Sequence, residues 1–161
     1  MTEFKIDSGG GAASYITRSA DETEALGASL GEKIKKDFHG GKCACFIALS
    51  GGLGAGKTAF VRGIASVISP KSAVKSPTYT IVNEYRHGDV PLFHFDLCRV
   101  SGEDDLYSTG YYEYLEGGIC AVEWSDAAPW ALPDERWDVK IKMLGENERL
   151  ITIELKGGAA K

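Results

Sequence analysis

The segment Gly51–Thr58 contains the residues with the clearest chemical potential. It reads Gly-Gly-Leu-Gly-Ala-Gly-Lys-Thr and fits the phosphate-loop pattern G-x-x-x-x-G-K-[ST]. The glycines let the backbone curl so that several N–H groups point at phosphate oxygens, and a following helix adds the positive end of its dipole. We expect Lys57 to reach the β- and γ-phosphates and Thr58 to bind Mg²⁺. The pattern predicts an ATP and Mg²⁺ site formed by Gly51, Gly52, Leu53, Gly54, Ala55, Gly56, Lys57, Thr58 and the next residue, Ala59.

Two acidic residues end apolar runs later in the chain. Asp96 closes Leu-Phe-His-Phe-Asp, and Glu123 closes Ile-Cys-Ala-Val-Glu. Because ligands bind at the carboxyl ends of parallel strands in open α/β sheets, an acid at either position would face the phosphates. A nucleotide hydrolase needs an acid near the metal and often a second to place the attacking water. We predict that Lys57, Asp96 and Glu123 are catalytic and that Thr58, Asp96 and Glu123 form the metal site, with either carboxylate as the main ligand.

Two further segments have both a functional and a structural interpretation. In Ser76–Thr80, Pro77 stiffens the loop, and Thr78 could offer its hydroxyl to the metal or the γ-phosphate as switch loops do. The same residues are also typical of an ordinary turn rich in serine and threonine. Trp124, beside Glu123, could stack on a base or simply pack in the core.

Local patterns predict a strand–loop–helix unit around the phosphate-loop motif. The apolar run Ala44–Leu49 is typical of a strand buried on both faces, and Lys57–Ile68 has helical spacing of apolar residues. Upstream, Ser19 and Glu22 form a capping box that begins a helix ending near His39. The other predicted strands are Ser14–Thr17, Thr80–Tyr85, Leu92–Leu97, Ile119–Glu123, Val139–Met143 and Leu150–Leu155. One hairpin joins Thr80–Tyr85 to Leu92–Leu97, and another joins Val139–Met143 to Leu150–Leu155. A helix is predicted over Glu103–Leu115 with an interruption near Gly110, and a loop or short helix over Trp124–Leu132. Together they predict an α/β domain with a mixed sheet.

Length and charge limit the classes of protein that fit. The chain has 161 residues, enough for one domain, and a formal net charge of −5 with acids and bases interspersed. That balance disfavours a protein that grips nucleic acid alone, because such proteins need a concentrated basic face. No apolar run reaches the roughly 20 residues of a membrane helix, and the polar, glycine-rich start is unlike a signal peptide. We therefore expect a cytoplasmic protein with no membrane partner and with flexible tails over residues 1–13 and 156–161.

The cysteines form no C-x-x-C pair. Cys43, Cys45, Cys98 and Cys120 all lie in apolar stretches, so we interpret them as small buried hydrophobic residues in a reducing compartment. A zinc site is the alternative, although the histidines are not spaced to complete one.

Several blocks of the sequence form a pattern when they are taken together in order. The blocks are Leu53–Thr58, Arg62–Gly63, Val74–Thr80, Phe93–Arg99, Gly110 with Glu113–Tyr114, and Val122–Ser125. Together they resemble the TsaE family, the small ATPases of bacterial tRNA threonylcarbamoyladenosine synthesis. The resemblance covers about Ser19–Pro133. The phosphate loop is generic, whereas the Ser-Pro-Thr-Tyr-Thr and Phe-His-Phe-Asp-Leu blocks are more specific.

The resemblance implies a fold, an activity and partners. The fold would be a P-loop NTPase-like three-layer domain with a mixed, mostly parallel central sheet flanked by helices. The protein would hydrolyse ATP weakly by itself and would act with the TsaB–TsaD complex in tRNA modification, meeting tRNA only through those partners. Thr58 and Glu123 match metal-site positions, Asp96 the acid of its block, and Thr78 the switch-like loop. Glu22 and Thr23 resemble the stretch that approaches the adenine.

The chain departs from the family pattern at two positions. Gly52 stands where most relatives carry Asp or Glu, which removes a negative charge close to the phosphates. Cys98 stands where tyrosine is usual, which we expect to be a change in packing. Lys57, Thr58, Asp96 and Glu123 are untouched, so the interpretation as an ATPase stands.

Two other functions use the same loop. A small-molecule or RNA kinase would need an acceptor pocket and an arginine-rich lid, and the chain has no such lid segment. A nucleotide-dependent switch or binding module would use ATP to set its affinity for a partner, with hydrolysis incidental. A GTP switch is disfavoured because no Asn-Lys-x-Asp segment follows the phosphate loop.

Overall fold

The computed structural model describes residues 11–39 and 45–157. The helices are α1 (Ala20–His39), α2 (Lys57–Ile68), α3 (Glu103–Ser108) and α4 (Tyr111–Tyr114), and two short 3₁₀ turns occupy Ser125–Ala127 and Pro129–Ala131. The strands are β1 (Ala12–Thr17), β2 (Phe46–Gly51), β3 (Val82–Tyr85), β4 (Leu92–Asp96), β5 (Ile119–Glu123), β6 (Arg136–Met143) and β7 (Arg149–Lys156).

The seven strands form one mixed sheet in the order β1-β7-β6-β2-β5-β4-β3. β2 pairs in parallel with β5 and β6, and β4 pairs in parallel with β5. The other neighbours are antiparallel, so β3 and β7 run against the remaining strands. All residues of β4 and β5 are buried, as expected of strands covered on both faces. The carboxyl ends of β2, β4 and β5 therefore meet at one edge of the sheet.

Helices cover both faces of this sheet and give the molecule three layers. On one face, α1 and α2 contribute residues such as Leu30 and Phe60 to a core that includes Ile47. On the other face, Tyr111 of α4 packs edge-on against Phe95 of β4, with ring centroids 5.3 Å apart. This is the α/β architecture predicted from the sequence.

α1 and α2 cross in direct backbone contact. A Cβ added at Gly27 of α1 would lie 2.1 Å from the carbonyl oxygen of Phe60, and one at Gly63 of α2 would lie 2.0 Å from that of Glu24. Real Cβ atoms do not tolerate such distances, so both crossing points require glycine. The crossing fixes the first turns of α2, and with them the loop that leads into it.

Most predicted element boundaries are confirmed. Ser19 caps α1 by accepting a hydrogen bond from the Glu22 amide at 3.0 Å, and Glu22 in turn accepts one from the Arg18 amide at 2.8 Å. Gly110, with φ 82°, separates α3 from α4. Both predicted hairpins form, as β3–β4 and β6–β7. The predicted short helical stretch after Trp124 is the pair of 3₁₀ turns.

Three expectations about boundaries were wrong. β3 begins at Val82 rather than Thr80, because Ile81 has φ 68° and its amide donates to the Pro77 carbonyl instead of joining the ladder. β6 begins at Arg136, three residues before Val139. The predicted tails were too long, since Ala12 and Ala13 pair with β7, which itself runs to Lys156.

The cysteines only partly follow their prediction. Cys120 is buried, Cys45 is half-buried and Cys98 is exposed, because Cys98 follows the end of β4. Cys43 and the start of the run predicted from Ala44 lie outside the described residues. No helix within residues 11–39 and 45–157 is long and apolar enough to cross a membrane.

Candidate functional site

The phosphate-loop motif leaves the end of β2 and enters α2, as its pattern predicts. Gly51, Gly54 and Gly56 have φ values of 150°, 74° and 112°, which side chains other than glycine rarely allow. A Cβ at Gly51 would also lie 2.5 Å from the carbonyl oxygen of Ile141 on β6. The backbone therefore turns sharply next to the sheet, and α2 begins directly at Lys57. This arrangement directs the first amides of α2 and the positive end of its dipole toward the turn.

Lys57 lies inside this turn and is 5% exposed. Its ammonium donates to the carbonyl oxygens of Gly51 at 2.6 Å and Gly52 at 2.8 Å, and it lies 4.1 Å from the ring centroid of Trp124. Burial lowers the pKa of Lys57 from its ordinary value, while the carboxylates of Glu123 and Asp96 act in the opposite direction. The ammonium is thus a positioned cation with two acids nearby.

The two predicted acids are direct neighbours. Asp96 and Glu123 are paired in the register of β4 and β5, and each is 3% exposed. Thr58 donates to the Glu123 carboxylate, at 3.0 Å from Oε2 and 3.2 Å from Oε1. Thr78 donates to Asp96 Oδ2 at 3.1 Å. The motif and the Ser76–Thr80 loop therefore each bring one hydroxyl to one carboxylate.

The oxygen atoms of this cluster fit a magnesium ion. Thr58 gives its only proton to Glu123, so the lone pairs of its hydroxyl oxygen are available to a cation. Mg²⁺ prefers such hard oxygen ligands and keeps several of its waters, so it needs few protein groups. Within the described part of the chain, no three His, Cys, Asp or Glu side chains are grouped to hold a metal ion. Thr58, Glu123 and Asp96 are the residues that would hold Mg²⁺ here.

Most of the predicted site residues line one cavity of about 240 Å³. Ser76, which the prediction did not single out, also lines it. Gly51 and Gly52 instead contact Lys57 through their carbonyl oxygens. The predicted residues that line the cavity are Leu53, Gly54, Ala55, Gly56, Lys57, Thr58, Ala59, Thr78, Asp96, Glu123 and Trp124.

Glu22 and Thr23 lie at the start of α1, outside this lining. Glu22 is engaged in capping the helix. Thr23 is buried, shares a hydrogen bond of 2.8 Å with the Thr17 hydroxyl, and comes within 3.7 Å of a Cβ built at Gly56. Thr23 therefore lies close to Gly56 of the motif, and no contact in the structure assigns Glu22 to the cavity.

Strained backbone borders the cavity on two sides. Ile81, after the Ser76–Thr80 loop, and Trp124, after Glu123, have φ values of 68° and 57°. Left-handed backbone is unfavourable for a β-branched or bulky residue and persists only where the surroundings impose it. Here Ile81 accepts a hydrogen bond from the Asp96 amide at 2.9 Å, and the Trp124 ring lies against Lys57. Both strained residues thus hold a neighbour that lines the cavity.

Two residues at the site were missed by the sequence analysis. His94 is fully buried, and its Nε2 lies 2.5 Å from Glu123 Oε2. Arg149 of β7 donates through Nε to the Ala55 carbonyl at 2.8 Å and through Nη2 to that of Gly54 at 3.5 Å. A local signal existed only for His94, which shares a strand face with Asp96 two residues on.

Known proteins that are similar to this chain share one family name. The sequence model of the family described as "Threonylcarbamoyl adenosine biosynthesis protein TsaE" matches residues 17–151. The chain is 43% identical to the tRNA threonylcarbamoyladenosine biosynthesis protein TsaE of Bacillus subtilis (strain 168), over 89% of this chain and 85% of that protein. It is 39% identical to the protein of the same name from Aquifex aeolicus, over 84% of this chain and 93% of that one.

The chain belongs to the TsaE family. The resemblance found from its sequence blocks is thereby confirmed, and so is the family's place in tRNA threonylcarbamoyladenosine biosynthesis. A crystal structure of YdiB from Bacillus subtilis is similar in fold, with a TM-score of 0.65 and 31% identity over 91% of this chain and 87% of that one. The predicted three-layer fold with a mixed sheet agrees with that structural relative.

Gly52, where the family resemblance led us to expect an acidic residue, has room for a larger side chain in this TsaE family member. A Cβ built at Gly52 would meet no atom within 4 Å, and the residue is exposed. Its carbonyl accepts hydrogen bonds from Lys57 and from the Ala55 amide, which any residue can provide. The absence of a carboxylate at this position is therefore not imposed by packing.

Proposed function

We propose that the protein is a Mg²⁺-dependent ATPase that serves tRNA threonylcarbamoyladenosine modification. The observation that carries the proposal is the meeting of Lys57, Thr58, Asp96 and Glu123 around one cavity at the carboxyl end of the sheet. A buried ammonium, a helix N-terminus and two acids are the parts that phosphoryl-transfer sites share.

Each residue then has a task that follows from its place. The amides of the motif and the ammonium of Lys57 hold the β- and γ-phosphates, and the Trp124 ring limits where the ammonium can move. Bound Mg²⁺ would neutralise charge that develops on the phosphates. Thr58 and one carboxylate would hold the ion, and the other carboxylate would orient the attacking water. Thr78, which donates to Asp96, ties the Ser76–Thr80 loop to the same end of the nucleotide.

We also propose that ATP hydrolysis is slow in the isolated protein and rises with the TsaB–TsaD complex. The net charge of −5 disfavours independent binding of tRNA, so a partner would bring the RNA. Among the described residues that line the cavity, none is an arginine. Arg62 makes an ion pair with Glu24 at 3.7 Å, Arg99 lies 5.6 Å from the Tyr79 ring, and Arg149 is engaged with the Ala55 carbonyl. Since no arginine side chain lines the cavity, slow intrinsic turnover is the natural expectation.

The test is phosphate release by the full chain with and without added TsaB–TsaD complex, each in the presence and absence of Mg²⁺. We expect weak release alone, a clear increase with the complex, and none without Mg²⁺. Labelled ATP given with candidate small-molecule and RNA acceptors separates the kinase alternative. Label transferred to an acceptor, or no release under any condition, would overturn the proposed function.

Arg149 supplies a second prediction. Two of its five hydrogen bonds go to the Gly54 and Ala55 carbonyls, and the other three go to carbonyls of its own hairpin turn. The bond to the Ala55 carbonyl keeps the N–H of Gly56 on the opposite side of that peptide plane. We expect Arg149→Ala to raise the Kd for Mg-ATP about tenfold, the cost of one charge-assisted hydrogen bond. Titration calorimetry would measure it.

Arg136→Ala is the matched control for that variant. Arg136 stands at the far end of the same β6–β7 hairpin and also donates to a main-chain carbonyl, that of Pro133, at 2.8 Å. An unchanged Kd in Arg149→Ala, or an equal change in Arg136→Ala, would show that Arg149 does not shape the phosphate-loop motif.

A further inference from the structure

A buried series of hydrogen-bonded groups leads away from Glu123. His94 is 0% exposed and Tyr85 is 7% exposed. His94 Nε2 lies 2.5 Å from Glu123 Oε2, and His94 Nδ1 lies 3.3 Å from the Tyr85 hydroxyl. Because carboxylate oxygens accept hydrogen bonds, we assign the His94 tautomer in which Nε2 donates to Glu123. The imidazole therefore has a separate partner on each side of its ring.

This hydrogen-bonded series ends at the backbone of Lys75. The Tyr85 hydroxyl accepts a hydrogen bond from the Lys75 amide and lies 3.3 Å from the Lys75 carbonyl oxygen. Asn83 donates to the same carbonyl at 3.1 Å. Lys75 immediately precedes the Ser76–Thr80 loop, so the base of that loop is fastened to β3 by two side chains.

Glu123 is held from two directions by these contacts. Thr58 reaches it from the phosphate-loop motif, and His94 reaches it from β4, on the side that leads to Tyr85. A carboxylate that is 3% exposed has little freedom to turn when two donors fix it. The direction in which Glu123 points therefore depends on where Tyr85 and the base of the loop stand.

We propose that Tyr85 and His94 are positioning residues which couple the position of the Ser76–Thr80 loop to the orientation of the Glu123 carboxylate. The proposal rests on the proposed ATPase function for its kinetic consequence, but the coupling itself is a property of the protein alone. The loop is well placed to receive an outside contact, since Tyr79 is 87% exposed and Ser76 and Thr80 are exposed. A contact that displaces the base of this loop shifts Tyr85 and, through His94, the Glu123 carboxylate.

Tyr85→Phe tests the coupling because it removes one hydroxyl and keeps the ring. We expect kcat for ATP to fall about three- to tenfold, the range of one neutral hydrogen bond, with an unchanged KM. The matched control is Tyr111→Phe. Tyr111 is also buried and donates its hydroxyl to one main-chain carbonyl, that of Ala131 at 3.0 Å, but on the other face of the sheet. It should leave kcat unchanged.

His94 variants separate the two halves of this hydrogen-bonded series, the contact with Glu123 and the contact with Tyr85. In His94→Gln the amide nitrogen stands close to the position of Nε2, so the donor to Glu123 is kept while the link to Tyr85 is lost. We expect it to behave like Tyr85→Phe. His94→Leu removes both contacts and should lose more kcat than His94→Gln, provided that its melting temperature shows a folded protein.

A measurement without nucleotide keeps this inference independent of the ATPase proposal. In amide NMR spectra, Glu123→Gln should shift the Lys75 and Ser76 resonances of the otherwise unchanged protein, and should not shift them in a Tyr85→Phe background. Equal shifts in both backgrounds, or none in either, would overturn the coupling. An inactive parent protein with the expected shifts would instead count against the ATPase function and leave the coupling supported.

Discussion

Replacing Lys57 by alanine is expected to lower ATP turnover at least 10²- to 10³-fold and to weaken nucleotide binding. Among the described residues, Lys57 is the one lysine that lines the cavity, and it is 5% exposed, so its charge acts with little screening by water. The magnitude is that of removing one preorganised donor from a site where charge develops, about 2.7–4 kcal/mol. The variant also loses the two hydrogen bonds to Gly51 and Gly52, which loosens the turn.

The measurement is phosphate release together with calorimetric titration of Mg-ATP. Lys140→Ala is the control, because Lys140 is an exposed lysine on β6 paired in register with Ser50, one residue before the motif. It removes a positive charge from the same region without touching the cavity. If Lys57→Ala turned over ATP at the parent rate, the interpretation of the phosphate-loop motif as a triphosphate site would be wrong.

The parts of the site that the sequence predicted are those determined by local patterns. Gly51–Thr58 required only a buried strand before it and an amphipathic helix after it, and both are visible as apolar runs of the right period. Asp96 and Glu123 could be placed together because each ends a continuous apolar run. Carboxyl ends of adjacent parallel strands meet at one edge, whatever the loops between them do.

Contacts that depend on strand order could not be predicted in this way. Arg149 follows the motif by more than 90 residues, and it reaches Ala55 only because the β6–β7 hairpin lies beside β2 in the sheet. Nothing in its neighbouring residues distinguishes it from Arg136, which starts the same hairpin. The sequence predicted the hairpin, but not the side of β2 on which it packs.

Backbone strain left no trace in the sequence either. Ile81 and Trp124 both adopt left-handed φ values, yet neither is a glycine or asparagine, the residue types from which such conformations are predicted. The surrounding contacts impose the strain, so it became visible only in the fold. This also explains why β3 was predicted to begin two residues too early.

His94 had a signal that admits two interpretations. In Phe93–Asp96 the alternation of strand residues places His94 and Asp96 on one face and the phenylalanines on the other. A histidine in such a run is as typical of a satisfied core residue as of a functional one. The deciding fact is its short contact with Glu123, which requires the register of β4 against β5.

Replacing Glu123 by glutamine is expected to leave ATP binding within a few-fold of the parent and to lower Mg²⁺-dependent turnover 10²- to 10⁴-fold, the range of a positioned general base. Glutamine keeps the shape and one oxygen that can accept from Thr58, so the fold and the phosphate contacts of the motif survive. The carboxylate charge is lost beside the Thr58 oxygen, where a cation would bind. Titration with and without Mg²⁺, combined with phosphate release, measures both effects.

Asp126→Asn is the matched control for the charge itself. Asp126 is exposed and acts on Lys57 electrostatically, in the same direction as Glu123 and Asp96. If turnover required only negative charge near Lys57, Asp126→Asn and Glu123→Gln would have comparable effects. If it requires a carboxylate fixed by Thr58 and His94, Asp126→Asn should be nearly silent.

Asp96→Asn should then lower turnover as Glu123→Gln does, because Asp96 is fixed by Thr78 and by the Cys98 amide. Metal dependence that is unaltered in both the Glu123 and the Asp96 variants would remove these acids from the magnesium site.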